Sequence, residues 1–211
     1  MTKNDLIDNK TITDIHIEQK PFFFTGKSIK KVNLLSIRDY ENPNLTHEYN
    51  KVKETMSNPN EQFVFHGCPF ENLNEIYEKG FDLDKVGLTT GNLGHLGRGI
   101  YCSKRIEVAM YYCGINNNYI LRPKFFLLCC KALLGKEKSF DMGECKVGCN
   151  LMEGYDSHQR KPSICETFFD DIYGKVQYCH QESVVFSKTN IVPMYLLELE
   201  IVPFEKGIPK Q

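Results

Sequence analysis

Three polar residues of complementary chemistry lie on separate apolar, strand-like segments of the chain. His66 ends the run Phe-Val-Phe-His, Tyr101 ends Gly-Ile-Tyr, and Glu182 precedes Ser-Val-Val-Phe. A polar side chain on an apolar strand costs free energy unless it forms hydrogen bonds or faces a cleft. One such residue is ordinary, but an imidazole, a phenol and a carboxylate together indicate a pocket that binds a polar ligand.

A glycine-rich loop, residues 87–99, leads directly into Tyr101. Its glycines are Gly87, Gly91, Gly94, Gly97 and Gly99. From Gly91 their spacing is G-x-x-G-x-x-G-x-G, which differs from the dinucleotide fingerprint G-x-G-x-x-G. No buried strand precedes the loop and no long helix follows it, so a Rossmann-type site is not expected. A surface loop and a loop that covers a bound ligand remain as interpretations, and the direct run into Tyr101 favours the second.

Cys145, Cys149 and His158 could in principle form half of a zinc site. The C-x-x-x-C spacing is loose, and the chain has no second C-x-x-C pair to complete a structural zinc site. We therefore expect unpaired thiols here and no bound metal.

Length and composition predict one globular domain. The chain has 211 residues, 41% of them hydrophobic and 25% charged, which is ordinary for a globular protein with a sizeable core. The formal net charge is −1 and the lysines and arginines are scattered. No basic face is evident, so nucleic acid is not indicated as a partner.

Cysteine usage and the N-terminus indicate an intracellular protein, cytoplasmic or nuclear. Nine cysteines are an odd number, and without an export signal they are most simply reduced thiols. The first residues lack the apolar core of a signal peptide, and the run 125–130 is too short to span a bilayer. We expect a monomer that does not associate with membranes.

Hydrophobic periodicity and turn residues predict an α+β fold. The expected elements are a helix near 43–57, a strand at 62–66, a helix ended by Gly80, a short helix over 104–112, and strands at 125–134, 182–186 and 191–202. Helices come early and strands late without repeating βαβ units, which disfavours a doubly wound parallel sheet.

The expected boundaries are an N-terminal extension over residues 1–28 and one domain over 29–211. A weak alternation at Ile12, Ile15 and Ile17 suggests that the extension either adds an edge strand or stays mobile. Pro193, near the start of the last strand, requires an edge position or a bulge, because proline cannot donate to a sheet.

Six motifs follow one another in a recognisable order. They are Asn42-Pro43-Asn44-Leu45 with Tyr49, His66-Gly67, Gly97–Tyr101, Tyr112-Cys113, Gly154–Ser157, and Glu182 followed by Ile191–Leu196. This order resembles the catalytic domain of the poly(ADP-ribose) polymerase family of ADP-ribosyltransferases, whose defining triad is His-Tyr-Glu. The resemblance covers nearly the whole chain after about residue 31. It implies two packed, mainly antiparallel sheets, split around a cleft for nicotinamide adenine dinucleotide (NAD) and flanked by short helices.

The resemblance also implies an activity: transfer of ADP-ribose from NAD to an acceptor, expected to be a protein side chain, with release of nicotinamide. In the family the histidine, here His66, binds the adenosine ribose, and the backbone of the following glycine, here Gly67, pairs with the nicotinamide carboxamide. Two tyrosines, corresponding to Tyr101 and Tyr112, hold the nicotinamide ring. Glu182 matches the catalytic glutamate, and its presence argues for an active enzyme.

Further implications concern the glycine-rich loop and two departures from the family pattern. The loop would lie over NAD, so Gly97 and Gly99 are expected to contribute to NAD binding. Ala109 stands where the family usually has a serine that binds the carboxamide, and Cys68 replaces the usual threonine or serine after His-Gly. The chain length leaves no room for the family's helical regulatory domain, so we expect access to the cleft to be unregulated from within this chain.

Two other functions stay open at this point. Ala109 is also compatible with a catalytically weak module that binds NAD or ADP-ribose, although the retained Glu182 weighs against it. An RNA 2′-phosphotransferase on a related fold would require a more basic cleft than this neutral composition suggests.

Overall fold

The computed structural model describes residues 22–24, 27–88, 93–113, 124–141, 143–144, 146–161, 164–170, 174–179 and 181–203. The elements in chain order are β1 (Phe22–Phe24), β2 (Lys27–Asp39), α1 (Pro43–Thr55), β3 (Glu61–His66), a 3₁₀ turn (Phe70–Asn72), α2 (Leu73–Lys79), a 3₁₀ turn (Leu83–Lys85), β4 (Ile100–Cys102), α3 (Ile106–Met110), β5 (Lys124–Leu133), β6 (Glu137–Phe140), β7 (Ser157–Arg160), β8 (Ile164–Asp170), β9 (Gly174–Cys179), β10 (Ser183–Val185), a 3₁₀ turn (Lys188–Asn190) and β11 (Ile191–Pro203).

The strands form two main sheets and a hairpin. The first sheet has the order β1-β2-β11-β5-β3, the second has the order β4-β10-β7-β6, and β8 pairs with β9. Among the strand pairs of the described residues, β6 and β7 run parallel and the others antiparallel. The predicted α+β class with mainly antiparallel sheets is confirmed.

Buried apolar side chains pack the two sheets against each other. One cluster joins Val64 and Leu128 of the first sheet to Ile100 and Val185 of the second, and all four are at most 4% exposed. Burial of apolar area is the main favourable term in folding, so this cluster fixes the relative position of the sheets. The predicted packing of two sheets is therefore present.

Local sequence explains where the first helix begins and where the second helix ends. The Asn42 side chain caps the N-terminus of α1 by accepting from the backbone N–H of Asn44, and Pro43 occupies the first turn. Tyr49 anchors the helix, because its ring is buried and its hydroxyl donates to Glu61 at 2.9 Å. Gly80 ends α2 with φ 76°, a conformation that favours glycine. Both helices lie where they were predicted.

The expectation that helices precede strands is wrong at the start of the chain. The 13-residue strand β2 comes before α1 and pairs with β11 along most of its length. A register shift leaves Leu35 out of the pairing with β11, and Leu35 is 40% exposed. The core-facing residues are therefore even-numbered before the shift, at Val32 and Leu34, and odd-numbered after it, at Ile37. This bulge breaks the alternation by which a strand is recognised in sequence.

Pro193 lies at a bulge in a central strand. β11 sits between β2 and β5, and its register against β5 shifts between Pro193 and Tyr195. Of the two positions that the sequence allowed, the structure uses the bulge. The suggested edge strand at Ile12, Ile15 and Ile17 lies outside the described residues.

Candidate active site

The edges of the two sheets meet at one point, beside His66. β3 is the edge of the first sheet and β4 is the edge of the second. A pair of backbone hydrogen bonds joins Phe65 to Ser103, with N···O distances of 2.6 and 2.9 Å. This bridge lies one residue after β4, so it brings His66 next to Tyr101.

A cavity of about 650 Å³ opens at this junction, a volume suited to a ligand larger than a simple metabolite. Six of the predicted site residues line it: His66, Gly67, Gly99, Tyr101, Tyr112 and Glu182. The seventh, Gly97, is buried outside the lining and contacts the site through Tyr101. Three segments far apart in sequence therefore converge on one cleft.

His66 is oriented by the backbone of Tyr101. Its Nδ1 lies 2.8 Å from the Tyr101 carbonyl oxygen, and because a carbonyl only accepts, Nδ1 carries the proton. The ring also makes an edge contact with Phe81, with centroids 4.9 Å apart. Burial lowers the pKa of His66, although the bond to Tyr101 opposes that shift. The neutral ring can then accept a hydrogen bond at Nε2 from a ligand hydroxyl.

Tyr101 is held by the glycine-rich loop. Its hydroxyl accepts from the Leu96 N–H at 2.8 Å and donates to the Gly97 carbonyl at 2.9 Å. A Cβ on Gly94 would lie 2.0 Å from that hydroxyl, so the close approach requires glycine, which also has φ 79° here. Burial raises the pKa of Tyr101, which therefore remains a phenol. The loop and the tyrosine form one unit.

Glu182 and Tyr112 form a hydrogen-bonded pair in the cavity. The Tyr112 hydroxyl donates to Oε1 of Glu182 at 2.9 Å, and Glu182 is only 5% exposed. The Glu182 carbonyl also accepts from the Arg160 N–H, which ties the residue to β7. A carboxylate fixed in this way can face a developing positive charge without reorganising.

Ser103 also lines the cavity, a position that the sequence did not indicate. Its hydroxyl donates to the Gln181 carbonyl at 2.6 Å, while its backbone bridges to Phe65. It therefore ties the Glu182 segment to the junction of the two sheets. A serine two positions after Tyr101 carries no sequence signal for this role, because the contact spans 78 residues.

Gly67 and Ala109 pack backbone to backbone on the cavity wall. A Cβ on Gly67 would lie 1.8 Å from the Ala109 carbonyl oxygen. Ala109 belongs to α3, is 3% exposed and lines the cavity. The residue after His66 thus has to be glycine for α3 to approach the end of β3 this closely.

One of the three residues considered for a zinc site, His158, is engaged in other contacts. His158 has both ring nitrogens in contact with backbone groups, at Leu96 and Met152. Cys145 lies outside the described residues. Among the described residues, no group of three or more histidine, cysteine or acidic side chains is arranged to hold a metal.

Two comparisons with known proteins found similar sequences. The family model for the poly(ADP-ribose) polymerase catalytic domain matches residues 17–201. A curated relative, poly [ADP-ribose] polymerase tankyrase of Caenorhabditis elegans, is 31% identical over 122 residues, which is 55% of this chain and 5% of the relative.

The described part of the chain contains no helix long and apolar enough to cross a membrane.

Proposed function

The chain belongs to the poly(ADP-ribose) polymerase catalytic-domain family, and from this premise we propose that it transfers ADP-ribose from NAD to a protein acceptor with release of nicotinamide. The proposal rests chiefly on one observation: an imidazole, two phenols and a buried carboxylate line the same cavity. They come from His66, Tyr101, Tyr112 and Glu182.

The groups that line the cavity suit the parts of NAD. His66 offers a ring nitrogen to a ribose hydroxyl, because its other nitrogen is already bonded to Tyr101. Gly67 lines the cavity, where its backbone can pair with a flat carboxamide. The rings of Tyr101 and Tyr112 present π-faces, which attract a cationic nicotinamide. Together these residues would bind NAD in one orientation.

Glu182 is the residue we propose as catalytic. NAD supplies the bond that breaks, between nicotinamide and ribose, through a transition state with oxocarbenium character as in glycoside cleavage. The Glu182 carboxylate stabilises the positive charge that develops on the ribose, and it can also polarise the incoming acceptor. Tyr112 holds this carboxylate through the bond to Oε1.

Charge in the cavity weighs against an RNA 2′-phosphotransferase. The described lining includes the carboxylates of Glu75, Asp82 and Glu182 and one lysine, Lys85. Lys85 already pairs with Glu75. A site for a polyanion needs more basic than acidic side chains. The described lining has no such excess of basic side chains.

Incubation of the protein with labelled NAD tests the proposed function. Nicotinamide release together with a mass increase on a protein acceptor would support transfer. Binding of NAD measured by calorimetry, without nicotinamide release in the presence of an acceptor protein, would instead support the binding module. Absence of both would contradict the proposal.

Replacing Ala109 by serine should tighten the binding of NAD or of a nicotinamide-like inhibitor by a factor of about two to ten. Ala109 lines the cavity beside Gly67, so a hydroxyl there can reach a carboxamide, and one such bond contributes roughly 0.5–1.5 kcal/mol. Calorimetric titration of both proteins measures the change. Unchanged or weaker binding would mean that position 109 does not face the carboxamide.

The enzyme should attach single ADP-ribose units or very short chains. Elongation needs a second surface that binds the adenosine end of a growing chain. The segment between Cys130 and Gly154, expected to border the acceptor side, contains no arginine, and its one aromatic residue, Phe140, is 1% exposed. Gel analysis with labelled NAD decides the point. A discrete band is expected, and a high-mass smear removed by a poly(ADP-ribose) glycohydrolase would refute it.

A further inference from the structure

His158 is a fully buried histidine outside the cavity lining. It lies in β7 with 0% exposure, and its ring packs edge-on against two aromatic side chains. The centroid distances are 5.1 Å to Phe140 and 4.6 Å to Phe186. A polar ring buried in this way must satisfy both of its nitrogens.

Both nitrogens of His158 bind backbone groups, on two different loops. Nδ1 lies 2.7 Å from the Leu96 carbonyl oxygen, so it carries the proton. Nε2 accepts from the Met152 N–H at 3.0 Å. The ring is therefore neutral, and it connects the glycine-rich loop to the segment 146–152.

The same two segments also meet through backbone hydrogen bonds. The Arg98 N–H donates to the Cys149 carbonyl at 2.9 Å, and the Lys146 N–H donates to the His95 carbonyl at 2.8 Å. His158 adds a side-chain connection from inside the fold. Residues 95–98 of the glycine-rich loop are thus connected to this part of the fold by two backbone hydrogen bonds and by His158.

Leu96 links His158 to the cavity. Its carbonyl accepts from His158, and its N–H donates to the Tyr101 hydroxyl at 2.8 Å. We propose that His158 is a positioning residue, which holds the glycine-rich loop and, through Leu96, the Tyr101 side chain in the arrangement that binds NAD. The inference rests on the proposed function where it concerns NAD, and on the structure where it concerns the loop.

Protonation of His158 would break this arrangement. Burial lowers its pKa, the bond to Leu96 opposes the shift, and nearby Lys138 on β6 lowers it further. The other groups described around the ring are the uncharged Phe140, Phe186, Leu96 carbonyl and Met152 N–H. A protonated ring would turn Nε2–H toward the Met152 N–H, where two donors repel.

The lowered pKa of His158 determines how the stability of the folded protein changes with pH. The ring stays neutral at pH 7, so the connection is intact there. As pH falls below the ordinary histidine value of about 6.5, the unfolded chain binds the proton first, and the folded protein loses stability. We expect NAD affinity to decline at still lower pH, where the folded ring itself becomes protonated.

Two amide variants separate the two hydrogen bonds. His158→Asn places an N–H donor near the position of Nδ1 and keeps the bond to Leu96, whereas His158→Gln places an acceptor near Nε2 and keeps the bond to Met152. We expect the asparagine variant to bind NAD within about threefold of wild type and the glutamine variant about tenfold more weakly, equal to ~1.4 kcal/mol. His47→Gln, on the exposed side of α1, is the matched control and should change nothing.

Amide hydrogen exchange supplies a readout that does not depend on NAD. Exchange within residues 93–99 should be faster in His158→Gln than in His158→Asn and wild type at pH 7.5. Equal exchange in both variants would overturn the inference, whatever NAD does. If wild type shows no NAD binding, the proposed function fails, and the exchange result still decides the role of His158.

The pH profile gives a second test, which needs only the asparagine variant. NAD affinity and loop protection of wild type should fall in acid, while those of His158→Asn should fall less. His66 is present in both proteins, so the difference between the profiles belongs to His158. Identical profiles, or a loss of thermal stability in both variants without any change in the loop, would reduce His158 to a structural residue and overturn the proposal.

Discussion

Replacement of Glu182 by glutamine should lower nicotinamide release from NAD by about a hundredfold or more, while the dissociation constant for NAD changes little. Glutamine keeps the size of the side chain and can still accept from the Tyr112 hydroxyl, so the pocket keeps its shape. It loses the negative charge, which matters only when positive charge develops on the ribose. An interaction made only in the transition state affects turnover rather than binding.

Parallel calorimetry and nicotinamide-release assays separate these two effects. Glu54→Gln, an exposed position on α1, is the matched control for the same chemical change and should leave both measurements unaltered. Should Glu182→Gln retain more than about a tenth of the wild-type rate, the deficit would be below ~1.4 kcal/mol, and Glu182 would not be the catalytic residue.

Replacement of Gly67 by alanine should weaken NAD binding by at least about tenfold and lower the melting temperature by roughly 5–10 °C. The added Cβ would lie 1.8 Å from the Ala109 carbonyl oxygen. The position of the Cβ is fixed by the backbone of residue 67 and the oxygen is a backbone atom, so neither can rotate away, and α3 must move off the end of β3. Overpacking of this kind costs about 1–3 kcal/mol, and the displacement falls on the cavity wall.

Gly154→Ala is a suitable control for the glycine-to-alanine change. A Cβ at Gly154 would meet none of the described atoms within 4 Å, and its φ of 78° gives only a local conformational cost. We expect that variant to lose about 1 kcal/mol of stability and to bind NAD normally. Thermal unfolding and calorimetry on both variants measure the contrast, and equal NAD affinities would show that Gly67 does not shape the binding site.

The main residues that line the candidate site could be predicted from the sequence, because each stands beside residues that restrict its setting. Gly67 follows His66, a glycine-rich loop precedes Tyr101, and an apolar run follows Glu182. The two helices before position 80 were also predictable, since Asn42 and Pro43 set the start of α1 and Gly80 sets the end of α2 through local preferences. Each of these signals acts over a few residues along the chain.

Strand β2 could not be predicted in the same way. The alternation of its inward-facing and outward-facing residues shifts by one position at Leu35, because the pairing with β11 contains a bulge there. The partner strand begins more than 150 residues later, and nothing within β2 itself reports where that bulge falls. Sheet register is a property of the pair rather than of either strand.

The sequence by itself determined the chemistry available to this protein: an imidazole, two phenols, a carboxylate and glycines that allow close approach. Only the tertiary structure decided how they are held. Ser103 ties Phe65 to Gln181, and Leu96 connects Tyr101 to the buried His158. These contacts join segments up to 78 residues apart through backbone carbonyl and N–H groups. Every residue carries such groups, so no side-chain pattern in the sequence can identify them.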